Sequence, residues 1–442
     1  MKILITSPIF PPDLGGPATY VPSIAGFLAG RGHDVTVVAF CSDPEPKGWP
    51  FRVVSIPRCF MPLRYWKDFL AVWRQAARAD LVYINEHLAL HVALAARLRG
   101  KPTVIRVCVD GTWEISHRLG WHSDTITDYQ FRTYGWKVAF ARRLQRLWWG
   151  WMRRIIAPSA FLKSIVEGYG VPGQKVELIY NAYHGPLTYE ATRAQCRQRL
   201  GVPAERVVLL TICRLMIWKG VDGIIRSLQR LPDNHHLYIA GDGEELAAWT
   251  EVARAAGLAH RVHFLGNVPH ADVMAWIRAA DVFLLNSSYE GLSHTLLEVM
   301  WLGLPAAVSN VCGNPELIED RVNGRTFDFQ DEPAIAAAIT DLLADRPRTA
   351  LYVQRSLDKV AGFAREGIFR RTEALFEEVT GLGAAHAAPH QAPHQAPHQG
   401  QHQAQHGAPH GTPHEAPHGA QHQTPHGAEH GAPHAAAVPA AR

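Results

Sequence analysis

The chain has 442 residues, 47% of them hydrophobic, which is enough for two domains that each bury a core. Its 44 basic and 40 acidic residues leave a net charge of only +4, too small to indicate a nucleic-acid-binding protein. Six scattered cysteines without a Cys-x-x-Cys pair argue against a zinc site or a disulfide framework and fit a reducing cytosol. The first apolar run is too short for a signal peptide, and none reaches transmembrane length, so we expect a cytoplasmic protein.

The first half of the chain alternates predicted strands and helices, which indicates a parallel sheet with helices on both faces. These elements make up a predicted first domain at residues 1–184. The predicted strands are Lys2 to Ser7, Asp34 to Phe40, Phe51 to Ile56, Leu81 to Ile84, Thr103 to Val107 and Ile155 to Ala157, with Lys175 to Asn181 ending the domain. The predicted helices are Ala18 to Gly30, Trp66 to Arg78, Ala89 to Leu98, Phe140 to Arg154 and Ala160 to Glu167.

A second set of alternating predicted strands and helices begins at Val207 and runs past the predicted strand Ala306 to Ser309. It predicts a second domain at residues 200–360, with a linker from Tyr183 to Gly201. A last helix, Glu366 to Thr380 within residues 361–383, is expected to return to the first domain. Folds of this class bind ligands at the carboxyl ends of their strands, so we expect a site between the two sheets.

Residues 384–442 carry a histidine at every fourth position from His386 to His434, with recurrent proline and glycine and no large apolar side chain. Such a segment cannot form a core, and we predict a disordered tail. Imidazole suits Ni²⁺, Zn²⁺ and Cu²⁺, so the tail is either a metal sink or a tandem repeat without a selected function.

Two carboxylates, Glu290 and Glu298, flank the start of an apolar segment with a helical pattern that follows the predicted strand Val282 to Leu285. Backbone N–H groups at a helix start favour an anion, and a carboxylate suits the two hydroxyl groups of a vicinal diol. Spacing alone favours two solvated glutamates that flank a helix start, and the motifs around the pair reverse that preference.

Two cations, Arg214 and Lys219, follow the predicted strand Val207 to Ile212 and precede a predicted helix from Val221 to Leu231. A guanidinium fork and an ammonium group together can neutralise a diphosphate without a metal ion. Alone they could be surface ion-pair partners. Their place between strand and helix is where α/β folds bind ligands, which favours the diphosphate interpretation.

These segments resemble the donor domain of the family 4 retaining glycosyltransferases of the GT-B fold, and the resemblance extends from Met1 to about Gly383. It predicts two Rossmann-like domains that face a cleft. Two features depart from the family pattern: Cys213 replaces a usual glycine, and the acceptor-side stretch from Arg106 to Glu114 contains no histidine. The matching motifs are Phe10-Pro11-Pro12-Asp13-Leu14-Gly15-Gly16, Arg214 with Lys219, Gly241-Asp242-Gly243, Glu290 with Glu298, and Gly313-Asn314-Pro315-Glu316.

The resemblance implies retaining transfer from a nucleotide-diphosphate sugar to a saccharide, lipid-linked or small-molecule acceptor in cell-surface glycan or glycolipid synthesis, without a cofactor or metal. Arg214, Lys219 and Glu290 are the implied catalytic residues. Asp110 is a candidate polar contact at the reacting centre, or a helix cap before Gly111. The implied donor-binding residues are Gly16, the amides of Gly291, Leu292, Ser293 and His294, and Glu298 at the ribose.

Three further hypotheses come from the same sequence. The scaffold also suits a nucleotide-sugar epimerase or a nucleotide-sugar hydrolase. A non-catalytic protein with a metal-binding tail is another alternative to the transferase.

The sequence argues against a retaining glycosidase. Such an enzyme would need carboxylates on both sides of one bond, whereas Glu290 and Glu298 both lie on the donor side. The Arg- and Trp-rich stretch 142–154 predicts either peripheral membrane contact or an ordinary helix with buried tryptophans.

Overall fold

The structure is a computed structural model that describes residues 1–382 except 14, 58–59, 87 and 184–188. The predicted tail at 384–442 lies outside the described residues. The described chain contains two parallel sheets with flanking helices, which confirms the predicted two-domain α/β class.

The first sheet has seven parallel strands in the order β3-β2-β1-β4-β5-β6-β7. Its strands are β1 (Lys2–Ser7), β2 (Asp34–Phe40), β3 (Arg52–Ile56), β4 (Leu81–Ile84), β5 (Thr103–Arg106), β6 (Arg154–Ala157) and β7 (Val176–Leu178). Its helices are α1 (Gly16–Gly30), α2 (Met61–Ala76), α3 (Leu90–Leu98), α4 (Gly111–Arg118), α5 (Ile126–Phe131), α6 (Trp136–Gly150) and α7 (Ala160–Gly168), with a 3₁₀ turn at Gly173–Lys175.

The second sheet has six parallel strands in the order β10-β9-β8-β11-β12-β13. Its strands are β8 (Val207–Ile212), β9 (His235–Ala240), β10 (Val262–Gly266), β11 (Val282–Leu285), β12 (Ala306–Ser309) and β13 (Arg325–Phe327). The remaining helices are α8 (Arg193–Arg199), α9 (Val221–Ser227), α10 (Leu246–Ala255), α11 (His270–Ala279), α12 (His294–Trp301), α13 (Asn314–Leu317), α14 (Glu332–Ala344), α15 (Arg346–Ala361) and α16 (Arg365–Thr380), with 3₁₀ turns at Ile217–Lys219 and Leu228–Arg230.

The central strands are apolar throughout because helices cover both faces of a parallel sheet. All four residues of β4 are buried, as are all four of β11. Six predicted strands, those now numbered β1, β2, β4, β8, β11 and β12, have the bounds expected from the sequence. An unbroken apolar run therefore locates a central strand well.

The predicted linker between Tyr183 and Gly201 contains a helix that was not predicted from the sequence. Helix α8 begins after Thr192, whose hydroxyl accepts a hydrogen bond from the Gln195 amide while the Gln195 side chain accepts one from the Thr192 amide. This reciprocal cap stabilises a helix of only seven residues. Helix α8 packs against α11, so it belongs with the second sheet.

The helix predicted at Phe140 to Arg154 runs instead from Trp136 to Gly150. Trp148 and Trp149 are 4% and 1% exposed, and the Trp149 ring packs edge-on against Tyr169 at 5.1 Å. These two indoles therefore pack in the core, as expected of an ordinary helix with buried tryptophans, and the membrane contact through 142–154 stays an unsupported prediction. No helix of the described residues is long and apolar enough to cross a membrane.

The last helix, α16, packs against the first sheet's helix α1. Phe369 contacts the ring of Tyr20 at 5.8 Å, and Phe376 contacts Tyr83 at 4.8 Å. The buried carboxylate of Glu373 accepts a hydrogen bond from Arg31 Nε at 2.8 Å. The chain thus returns to its first domain after completing the second.

Stability should depend on pH through His236, which is buried on β9 and hydrogen-bonded to His263 at 3.1 Å. Burial, aided by Arg206, lowers the pKa of His236 to about 4. The unfolded imidazole takes up its proton near its ordinary pKa, so unfolding binds a proton between these values and stability falls as pH drops through this window. The loss should be on the order of 3 kcal/mol.

His236→Gln removes the titrating group and keeps a hydrogen-bonding side chain. Melting temperatures measured from pH 7 to pH 4 should therefore fall less steeply for this variant than for the wild type. Parallel curves for the two proteins would contradict the assignment.

Candidate active site

Each sheet has one point where its strand order reverses, between β1 and β4 in the first and between β8 and β11 in the second. Loops that leave neighbouring strands in opposite directions open a crevice at the carboxyl edge of a sheet. In the second sheet, the loop after β8 carries Arg214 and Lys219, and the loop after β11 carries Glu290. The topology therefore brings these three predicted residues to one crevice.

Two cavities lie along this crevice. The larger has a volume of about 1010 Å³ and the smaller about 290 Å³, and Gly16 at the start of α1 lines both. The larger cavity is lined by Gly15, Gly16, Ile212, Cys213, Arg214, Ala240, Gly241, Asp242, Gly243, Glu244, Asn267, Val268, Val273 and Thr295. The smaller is lined by Gly16, Pro17, Tyr20, Asn85, Arg106, Cys108, Val109, Trp113, Glu114, Pro158, Asn181, Trp218, Tyr289, Glu290, Gly291, Leu292 and His294.

A buried ion pair joins the two loops of the second sheet. Lys219 Nζ lies 2.5 Å from Glu290 Oε1, with the side chains 16% and 13% exposed, and Ser287 Oγ donates to the same oxygen at 3.1 Å. Burial by itself would lower the pKa of Lys219, but the Glu290 carboxylate outweighs it and the pKa is raised. The ammonium is therefore charged at neutral pH, and a ligand anion must compete with Glu290 for it.

Glycines allow the loops of the crevice to pack backbone against backbone. A Cβ at Gly241, where φ is 133°, would lie 1.9 Å from the carbonyl oxygen of Cys213. A Cβ at Gly313 would lie 2.2 Å from the carbonyl oxygen of Gly291, while the Gly313 amide donates to Glu290 O at 3.0 Å. The motif glycines thus fix the main chain on which the candidate residues stand.

Helix α12 begins where the crevice loop ends. Ser293 caps it, because its hydroxyl accepts a hydrogen bond from the Leu296 amide at 3.2 Å. Gly291, Leu292 and His294 line the smaller cavity. Burial, followed by the charge of Arg106, lowers the pKa of His294 to about 4, so its imidazole is neutral at pH 7.

Glu298 lies one helical turn after Thr295, which lines the larger cavity. Its carboxylate is hydrogen-bonded to His270 Nε2 at 3.0 Å, and this bond raises the pKa of His270. A ribose at Glu298 would share the carboxylate with His270 or displace it.

Asp110 is a helix cap and not a group of the crevice. It is completely buried at the start of α4, where its carboxylate accepts hydrogen bonds from Thr112 N at 3.0 Å, Gln145 Nε2 at 2.9 Å and Tyr169 OH at 2.8 Å. Gln130 Nε2 donates a further bond at 2.9 Å. With both oxygens occupied, Asp110 cannot reach a substrate, and its prediction as a catalytic residue is wrong. The sequence did contain a sign of this role, because an Asp directly before a helix that starts with Gly111 and Thr112 is a favoured N-cap.

Hydrogen bonds are among the contacts that connect the first domain to the loops of the second sheet. Tyr289 OH donates to Cys108 O at 2.9 Å, and Asn181 Nδ2 donates to Leu292 O at 2.7 Å. The carboxylate of Glu316 accepts hydrogen bonds from the first two amides of α7, Ala160 N at 2.7 Å and Phe161 N at 2.9 Å. Sequence patterns could not reveal these contacts, because their partners lie over a hundred residues apart in the chain.

One group in the described chain brings three metal-ligand types together. Ligand atoms of Asp68, Glu86 and His91 lie within 4.8 Å of one another. His91 Nε2 is hydrogen-bonded to Asp68 Oδ2 at 2.6 Å, and burial, with the charge of Asp68, raises the pKa of Glu86 well above its usual range. The expectation of metal-independent chemistry remains a prediction.

Comparison with known proteins identifies the family. Residues 14–184 match Glycosyltransferase Family 4, and residues 192–356 match Glycosyl transferases group 1. The chain belongs to the family 4, group 1 glycosyltransferases. The junction between the two matched regions falls in the predicted linker. The chain is therefore a glycosyltransferase of the hexosyltransferase type, as the sequence predicted.

The similar proteins have names that describe different products. A glycogen synthase of Mycobacterium tuberculosis is 27% identical over 379 residues, which cover 78% of this chain and 86% of the relative. A GDP-mannose-dependent alpha-(1-6)-phosphatidylinositol monomannoside mannosyltransferase of Mycolicibacterium smegmatis is 27% identical, covering 79% of this chain and 91% of its own. These names support glycosyl transfer, and only the second of them states a donor.

The solved structure of Anabaena HepE in complex with UDP-glucose has a TM-score of 0.70 and is 22% identical, covering 86% of this chain and all of that one. Sucrose-phosphate synthase from Thermosynechococcus elongatus has a TM-score of 0.72 and is 19% identical, covering 86% of this chain and 100% of that chain. These similarities confirm the predicted GT-B fold.

Gly313→Ala should destabilise the protein by about 2 kcal/mol, because the new methyl group must displace the main chain at Gly291. Gly26→Ala is the matched control: it lies inside α1, a Cβ there meets no atom within 4 Å, and alanine should stabilise the helix slightly. Thermal melts of both variants measure the difference. Equal melting temperatures would contradict the close approach.

Proposed function

We propose that this glycosyltransferase moves a sugar from a nucleotide-diphosphate donor to a saccharide, lipid-linked or small-molecule acceptor with retention of the anomeric configuration. The observation that carries the proposal is the buried Lys219–Glu290 pair at the crevice, with Arg214 lining the larger cavity and Glu290 the smaller. A donor with an anionic diphosphate and a hydroxylated sugar has partners for both members of the pair. The relatives' names and the UDP-glucose complex of HepE support this donor class.

The nucleotide would occupy the larger cavity. Arg214 offers a guanidinium fork to the diphosphate there, and Gly16 brings the start of α1 to the junction with the smaller cavity. Glu298, one turn into α12, would accept hydrogen bonds from the ribose hydroxyl groups. The sugar would then extend into the smaller cavity beside Glu290 and the loop Gly291 to His294.

In the proposed reaction, the bond between the anomeric carbon and the diphosphate oxygen breaks as the acceptor oxygen bonds to the same face of that carbon. Negative charge grows on the departing diphosphate, where Arg214, Lys219 and the backbone amides of the loop Gly291 to His294 stabilise it. Glu290 gives up its ion pair with Lys219, accepts hydrogen bonds from the hydroxyl groups of the donor sugar and so positions the reacting carbon. The acceptor hydroxyl passes its proton to a diphosphate oxygen, so no protein base is needed in place of Asp110.

Glu290→Ala and Glu298→Ala should affect different steps. Glu298→Ala should weaken nucleotide binding about tenfold, because ribose contacts exist in both ground and transition states. Glu290→Ala should lower turnover by about tenfold or more with less effect on binding, because its contact positions the reacting sugar.

Nucleoside diphosphate affinity and the turnover of donor and acceptor measure the two effects. Glu251→Ala, at an exposed position on α10, is the matched control and should change neither. Unaltered binding and turnover in both site variants would refute the assignment of the donor site.

Transfer should proceed in EDTA at the rate seen without it, because Arg214 and Lys219 supply the positive charge that a divalent metal would otherwise provide. Initial rates are compared with EDTA and after adding back Mg²⁺ or Mn²⁺. Loss of activity in EDTA with recovery on metal addition would show that a metal ion shares this role.

A further inference from the structure

The small cavity contains a buried cation that the proposed donor chemistry does not use. Arg106, the last residue of β5, lines this cavity and is 3% exposed. Its Nη2 donates to the side-chain oxygen of Asn181, and its guanidinium lies over the ring of Tyr20 at 3.9 Å. Both partners are neutral groups.

The charge of Arg106 has no counter-ion in the described part of the chain. No carboxylate approaches it within 4.0 Å, and its Nε lacks a hydrogen-bond partner among the described residues. Glu290, the carboxylate of the opposing loop, is already paired with Lys219. Burying a guanidinium without an anion is costly, so the site is complete only when an anion enters the cavity.

Asn85 adds a second set of unpaired donors beside it. Asn85 follows β4, the strand next to β5, so the parallel ladder brings both side chains to the same edge of the first sheet. The side chain is 6% exposed and lines the same cavity, and neither Nδ2 nor Oδ1 has a hydrogen-bond partner among the described residues. Buried amides in folded proteins are normally paired, which indicates that a ligand completes this one.

We propose that Arg106 and Asn85 form a subsite for an anionic group, a phosphate or a carboxylate, carried by the acceptor. This inference rests on the proposed glycosyl transfer and specifies its second substrate. The group belongs to the acceptor because Arg106 and Asn85 stand at the carboxyl edge of the first sheet, whereas the proposed donor residues Arg214, Lys219 and Glu290 all stand on loops of the second sheet. The acceptor class is therefore a sugar phosphate, a uronic acid or a saccharide attached to a phosphate.

Cys108 provides a readout that needs no knowledge of the natural acceptor. Its exposed thiol lines the same small cavity. Inorganic phosphate bound at Arg106 should shield the thiol in the shared cavity and so slow its reaction with iodoacetamide. The rate is measured by mass spectrometry of the Cys108 peptide in the full-length protein, at constant ionic strength with chloride as the reference anion.

Phosphate should protect Cys108 in the wild type, and Arg106→Gln should weaken this protection at least about tenfold. Arg214→Gln is the matched control, since it removes a guanidinium from the larger cavity and should leave the protection in place. Asn85→Asp should also abolish protection, because a carboxylate beside Arg106 supplies the missing counter-ion and stabilises the fold. Equal protection in the wild type and Arg106→Gln, or none in the wild type, would overturn the proposal.

Binding of UDP, GDP and ADP to the same variants separates this inference from the proposed function. Arg214→Gln should lose nucleotide affinity while Arg106→Gln retains it. If Arg106→Gln weakens nucleotide binding as much as Arg214→Gln does, the anion is the donor diphosphate and the acceptor assignment is wrong. If Arg214→Gln has no effect on any nucleotide, the donor site fails independently of what Cys108 reports.

Discussion

The Lys219–Glu290 ion pair is the contact on which the crevice of the second domain depends. It forms because β8 and β11 are neighbours at the point where the strand order reverses, so their loops meet. Removing one partner of a buried pair leaves an uncompensated charge, which is costly. A ligand can separate the pair only by offering an anion to the lysine and hydroxyl groups to the glutamate together. The resting site thereby favours molecules that carry both kinds of group.

The loops that would hold the donor also hold the first domain. Tyr289 reaches across to Cys108, and the Leu292 carbonyl accepts a hydrogen bond from Asn181, which also accepts one from Arg106. The chain from Arg106 through Asn181 to Leu292 links the proposed anion subsite of one sheet to the loop of the other by two hydrogen bonds. If the two proposed sites are correct, these bonds would connect donor binding to acceptor binding.

The sequence predicted the sheets, the order of the motifs and the loops that carry Arg214, Lys219 and Glu290, because unbroken apolar runs and strand-to-helix turns are local signals. It missed α8, a short polar helix that begins at a reciprocal cap and packs against α11, and placed the start of α2 five residues late. It misjudged Asp110, since a cap and a catalytic carboxylate look alike before packing is known. Arg106 and Asn85 could not be found, because their lack of partners is a property of the packed cleft alone.

Glu316 gives the two domains a contact that water can replace. Its carboxylate binds the first amides of α7, where the helix dipole presents a partial positive charge. If the two domains separated, water would hydrate both the amides and the carboxylate. Breaking this contact would therefore cost little free energy. Dissolved ions weaken attraction between such partly exposed charges. Raising the ionic strength should therefore weaken this contact between the two domains.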